Sequence, residues 1–181
     1  MKAIVHVPNA ILTTPAQPIT SFNKKLATLI EDLKKTLAAT RNPKGVGLAA
    51  PQIGEPYRAF VTRPNAKEPM RAFINPMIQV HSKDNTEGVP ERDNKLEGCL
   101  SIPNIWGKVN RSKSITLTWQ DESGTSHTEV FSGFLATIIQ HETDHVNGIL
   151  FTHRVLEQKG KFYESRKDRE GKDTLDEIEL T

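Results

Sequence analysis

Between Phe22 and Leu37, apolar side chains return every three or four residues. They are Phe22, Leu26, Leu29, Ile30, Leu33 and Leu37, with Lys24, Lys25, Glu31, Asp32, Lys34 and Lys35 largely outside their stripe. That rhythm matches an α-helix with one face on a core, and predicts an amphipathic helix capped by Ser21 and ending near Thr40. Upstream, Pro8, Pro15 and Pro18 predict an extended arm over residues 1–20. From residue 58 to about 131 the period shortens. Residues 58–62, 72–75 and 77–80 read as short strands, broken by Pro64, Pro69 and Pro76. Residues 114–119 alternate polar and apolar, as a half-buried strand does, and the turn Asp121-Glu122-Ser123-Gly124 leads back into 127–131 as a hairpin. The polar stretch 82–94, with Gly88 and Pro90, reads as a surface loop. A second helix is predicted over 134–146, opened by Ser132 or Gly133 and closed by Gly148. Phe134, Leu135, Ile138 and Ile139 make it apolar on more than one side, so it is expected to be buried. The fold class is α+β: short, mostly antiparallel strands around a buried helix, with an N-terminal amphipathic helix.

Length and composition narrow the picture. The 181 residues fit one domain with a sizeable core. From residue 159 onward charge is dense and apolar residues are scarce, which predicts a frayed or solvated tail. The expected division is one domain over 1–158 and a charged tail over 159–181. Lys+Arg 24 against Asp+Glu 22 leaves a net charge of +2, no electrostatic case for nucleic acid. No apolar run approaches the roughly 18 residues of a membrane span. Residues 1–8 lack the apolar core of a secretory signal. The lone Cys99 excludes an internal disulfide framework and fits a reducing compartment.

The sharpest chemical feature is His141-Glu142-Thr143-Asp144-His145, an H-E-x-x-H on the buried helix. A four-residue step is about one turn, so both imidazoles project from one face and can grip one metal ion. Glu142, one step round, stands where it can take a proton from water at that ion. Burying two histidines and a carboxylate on an apolar helix is costly without such a purpose. A third ligand is harder to find. Gly148 would suit an extended H-E-x-x-H-x-x-G-x-x-H motif, but residue 151 is Phe. His153 and Glu157 lie beyond the helix terminator. Cys99 is the remaining soft ligand, and spacing alone leaves it between ligand and small buried hydrophobe. The segment 45–52 has two glycines where a backbone can approach a ligand, and reads equally as a loop-to-strand connection.

Three segments, G-x-G-L-A-A-x-Q at 45–52, E-G-C-L-S at 97–101 and Q-H-E-x-D-H at 140–145, resemble the signature motifs of the peptide deformylase family. All three are complete, and a looser likeness runs from the N-terminal arm to about Phe151. The resemblance implies a cytoplasmic hydrolase that removes the N-formyl group from the initiator methionine of nascent polypeptides and releases formate. It makes residues 1–158 a deformylase-like catalytic domain. It implies one divalent metal ion on Cys99, His141 and His145, Fe(II) in the native state, with Zn, Ni or Co in a purified protein. Water at the ion would attack the formyl carbon, with Glu142 taking its proton and passing it to the departing nitrogen. The Gln52 side-chain amide and the Leu100 N–H would donate to the formyl oxygen. Val46, Phe134, Thr137 and Ile138 match the wall of the methionine pocket, and Thr137 departs from a more apolar norm. Gly47 and Gly98 flank the peptide backbone, which would pair there as an added strand. Glu97, Arg111 and Asp144 match supporting charges, with Arg111 expected to bridge toward Asp144. Trp106, just after the second motif, is a candidate for the groove's edge.

The implied partners are N-formylmethionyl peptides and a transient ribosome contact, without specific nucleic acid or membrane, for a monomeric protein. The tail departs from relatives with a basic ribosome-docking helix. Residues 159–172 carry six basic and three acidic residues, but 173–181 carry four acidic and none basic. Two rivals stand beside this reading. A general H-E-x-x-H endopeptidase lacks its expected ligand at 151, and a non-catalytic binder of nascent chains would not need Glu142.

Overall fold

The computed structural model describes residues 1–41, 43–167, 170–171 and 173–178. The amphipathic segment forms helix α1, Lys24–Ala39. Its cap is Asn23 rather than Ser21. Asn23 Oδ1 accepts from the N–H groups of Lys25 at 2.9 Å and Leu26 at 3.4 Å, two donors that a helix start leaves unpaired. The strands are β1 (Gly47–Ala49), β2 (Ala59–Thr62), β3 (Arg71–His81), β4 (Glu97–Cys99), β5 (Ile102–Gly107), β6 (Ser114–Gln120) and β7 (Ser126–Ser132). Helix α2 (Gly133–Val146) and the short α3 (Phe151–Glu157) follow, then β8 (Phe162–Lys167) and β9 (Asp173–Ile178).

The strands form two antiparallel sheets, ordered β1-β2-β3-β6-β7 and β4-β5-β8-β9. Period-two alternation shows how the helices use the first sheet. On β2, Ala59 and Val61 join Leu26, Ile30 and Leu33 of α1, while Phe60 joins Ala136 and Ile139 of α2. On β3, Ile74 and Phe73 divide in the same way. One end of the sheet is thus sandwiched between α1 and α2, which is why all of β2 is buried. On β6 the alternation buries Ile115, Leu117 and Trp119 against α2. A third core gathers Leu12, Cys99, Ile102, Phe151, Val155 and Phe162 beneath the second sheet and α3.

Three further expectations change. The strands read as 72–75 and 77–80 are one strand, because Pro76 falls at a register shift between Ile74 and Met77 where the ladder is already irregular. Asn75 there takes φ 51° and uses its side chain to bind Ile19 and Gln120. The loop 82–94 is a surface loop for most of its length, but Val89 is buried and the Thr86 N–H donates to Arg111 O at 2.7 Å. The tail does not fray across its described residues. β8 pairs with β5 and β9 with β8, putting Phe162 opposite Ile178 over the third core. Few apolar residues suffice, because alternate strand positions face solvent.

Candidate metal centre

Helix α2 ends under the first sheet with His141 and His145 one turn apart, their ring centroids separated by 4.9 Å. Cys99, the last residue of β4, arrives from the second sheet. One ligand atom from each of Cys99, His141 and His145 lies within 4.8 Å of the others, and Cys99 Sγ stands 3.2 Å from His145 Nε2. One sulfur and two imidazole nitrogens make a donor set for a divalent transition metal. The surroundings fit such an ion. Ser101 N–H points at Cys99 Sγ from 3.4 Å and Gln52 Nε2 from 3.5 Å, so the sulfur is held in place by two donors.

His141 is oriented from behind. Its Nδ1 lies 2.6 Å from Glu97 Oε1, leaving Nε2 as the ring nitrogen for the Cys99 side of the cluster. Arg111 clamps the same carboxylate, Nε to Oε2 at 2.8 Å and Nη2 to Oε1 at 2.7 Å, and donates Nη1 to Asp144 Oδ2 at 2.9 Å. Burial alone would raise the Glu97 pKa, but Arg111 and His141 outweigh it and hold the carboxyl well below the usual carboxylate range. Burial would likewise depress His141, yet the Glu97 charge raises it above the ordinary imidazole value. His145 goes the other way, lowered by burial and by the neighbouring His141. Its Nδ1 is buried without a hydrogen-bond partner among the described residues.

Glu142 sits beside this cluster with Oε2 buried and without a hydrogen-bond partner among the described residues. Burial pushes its pKa up to about 7. A carboxyl poised there can both accept and return a proton near neutrality. Its position explains a glycine: a Cβ on Gly47 would meet Glu142 Cδ at 2.8 Å and Cγ at 2.9 Å. Gly98 is constrained similarly, since a Cβ there would fall 2.6 Å from the Trp106 ring.

Val46, Gly47, Gly98, Phe134, Thr137 and Ile138 border a single cleft. Gln52, Leu100 and Glu142 reach the same cleft with Cys99 and His141, whereas His145, Arg111 and Asp144 lie behind it. Gln52 is fixed at its oxygen by the Ala49 N–H at 2.9 Å and donates Nε2 to Ser101 Oγ at 3.2 Å. Thr137 is buried with its hydroxyl unpartnered, a polar atom in a mostly apolar wall. Sequence reasoning missed Arg154. From α3 it donates to both Asp144 oxygens, at 2.7 and 3.1 Å, extending the ion-pair chain to the surface. Its only signal was a ten-residue separation from Asp144. It also missed Arg92, which stands 5.3 Å over the Trp106 ring on the cleft's rim.

A helix bearing two imidazoles and an acid, set against antiparallel strands and met by a thiol from a second sheet, defines a class of single-metal hydrolases. Comparison with known proteins narrows it. The family model for polypeptide deformylase matches residues 1–161. A peptide deformylase of Opitutus terrae is 38% identical over 167 residues, covering 84% of this chain and 83% of that protein. The crystal structure of peptide deformylase from Thermotoga maritima superposes with a TM-score of 0.76 at 34% identity, covering 85% of this chain and 97% of that one. A Met-Ala-Ser-bound class I type b peptide deformylase from Acinetobacter baumannii gives 0.75 at 30% identity, covering 85% and 98%. The chain belongs to the polypeptide deformylase family, metalloenzymes that remove the formyl group from nascent peptides. No helix among the described residues is long and apolar enough to cross a membrane.

Proposed function

We propose that residues 1–158 form the catalytic unit and that Cys99, His141 and His145 hold its divalent ion, Fe(II) in the native protein. The observation that carries the reading is the approach of these three donors to within 4.8 Å beside an unpaired, buried Glu142. A thiolate with two imidazoles also suits Zn, Ni or Co. When bound, the ion supplies a Lewis acid that polarises the formyl oxygen and lowers the pKa of water.

The chain does the rest. Glu142 takes the proton from the attacking water and delivers it to the amide nitrogen as the C–N bond breaks, freeing formate and a peptide amine. Gln52 Nε2 and the Leu100 N–H donate to the oxygen where charge develops. Gln52 is held for this by Ala49 at one end and Ser101 at the other. Val46, Phe134, Thr137 and Ile138 receive the methionine side chain. The backbones of Gly47 and Gly98 pair with the peptide as a strand would, and Gly47 leaves room for the Glu142 carboxylate. Glu97, backed by Arg111 and Asp144, fixes the His141 ring. Formylated methionyl peptides are the substrates, a reading supported by the Met-Ala-Ser complex of the Acinetobacter relative. The single free cysteine suits the reducing cytoplasm, and transient ribosome contact by a monomer completes the picture.

Formate release from formyl-Met-Ala-Ser by anaerobically metal-loaded protein tests this directly. Turnover is expected on the formylated peptide and none on its unformylated counterpart. Glu142→Ala is expected to retain the metal while losing about 100- to 10,000-fold in rate. Cleavage of internal amides in place of formate release, or near-normal activity of Glu142→Ala, would overturn the assignment.

A further inference from the structure

The cleft's rim carries a charge pattern that the deformylation chemistry leaves unused. Arg92, at the end of the loop 82–94, and Lys44, three residues before β1, both line the cleft. Lys44 has no hydrogen bond or ion pair with any described residue. Among the described residues Arg92 donates from its side chain to the Leu96 carbonyl alone, Nη1 to O at 3.0 Å, and its guanidinium lies 5.3 Å over the Trp106 ring. Trp106 in turn lies against Gly98, so the cation rests on a fixed shelf rather than on a free side chain. Glu97 acts on Arg92 through its charge, but neither cation forms an ion pair with a carboxylate of the described residues. The two carboxylates lining the cleft are Glu97, saturated by Arg111 and His141, and Glu142 at the reacting end. Glu91 and Asp93 flank Arg92 in sequence, but neither lines the cleft.

Gly47 and Gly98 stand on the cleft near these cations, Lys44 on the β1 side and Arg92 on the β4 side. A peptide laid between β1 and β4 therefore sends the residues after its methionine past two unpaired positive charges. We propose that Arg92 and Lys44 make this protein select formylated peptides bearing an acidic side chain at the first or second position after methionine. The proposal rests on the deformylase reading of the same cleft and adds a preference to it. Arg92 supplies a planar fork suited to a carboxylate, and Lys44 a compact point charge.

The test uses metal-loaded protein and peptides formyl-Met-Ala-X and formyl-Met-X-Ala, with X as Glu, Gln or Lys and the C-terminus amidated. Affinity is read by competition with a fluorescent formyl-methionyl peptide, and kcat and KM by formate release. Glu is expected to bind about threefold tighter than Gln and about tenfold tighter than Lys at low salt, the gap narrowing as salt screens it. The difference should lie in KM rather than kcat. Arg92→Gln and Lys44→Gln should each shrink the Glu-to-Lys affinity ratio, the double variant should bring it near one, and Arg92→Lys should keep part of it. Because each ratio is internal to one variant, a general loss of affinity does not mimic the effect. Equal affinities in the unsubstituted protein, or a ratio untouched in the double variant, would overturn the proposal. Absence of formate release from the Gln peptides would instead overturn the deformylase reading, since the affinity ratios need no turnover.

Discussion

Arg111 is the residue on which the electrostatics of the centre converge. It is buried, as are the Glu97 and Asp144 it joins, and the pairing is bidentate on one side and single on the other. A buried ion pair gains little over a well-packed apolar pair, but removing one partner strands the other charge in a poor solvent. Arg111→Ala is therefore expected to cost about 3–5 kcal/mol in urea unfolding, and Arg111→Lys to recover only part of it, since an ammonium cannot fork across both Glu97 oxygens. Glu97 also positions His141, so the same variant should weaken metal retention by roughly 10- to 100-fold. A loss under 1 kcal/mol with unchanged metal content would mean that water or Arg154 takes over the charges.

At the scale of elements, the cap of α1 separates two polar residues, either side of Phe22, by their work. Asn23→Ala is expected to destabilise the protein by about 1 kcal/mol, and Ser21→Ala by no more than about 0.5, both read from denaturant midpoints. Equal costs would say that the helix begins earlier than Lys24. The amphipathic helix and the 114–131 hairpin are legible in sequence because their signals are local and long enough to repeat. His141, Glu142 and His145 are legible for the same reason, one turn of one helix carrying all three. Cys99 is different. Nothing within β4 says that its sulfur meets an imidazole 46 residues away, and only the likeness of three motifs to one family drew them together. Helix α3 escaped notice because seven residues bury only Phe151 and Val155, too few for a period to show. The Ser21 cap failed because Ser and Asn are equally good caps, and the choice depends on where the backbone turns.

For the molecule as a whole, the centre lies between two sheets that share no strand pairing among the described residues. The first brings Gly47 and, through α2, the two histidines and Glu142; the second brings Glu97, Gly98 and Cys99. The geometry of the donors therefore depends on how firmly the second sheet is built, and β5, the partner of β4, is itself flanked by β8. The charged hairpin at the end of the chain thus supports the centre at one remove. Its anchor is apolar: Phe162 is 5% exposed and packs with Val155 and Ile102, while the ion pairs of Glu164 with Arg166 and Lys161 with Glu177 are on the surface. Exposed pairs contribute at most about 1 kcal/mol, whereas removing a buried phenylalanine side chain costs about 3–5. Phe162→Ala is accordingly expected to lower unfolding stability by about 3 kcal/mol and to loosen the metal, since β5 loses its backing. Arg166→Ala should cost under about 0.5 kcal/mol and leave metal content unchanged. If the two substitutions instead cost alike, the hairpin is held by its charges rather than by its apolar anchor.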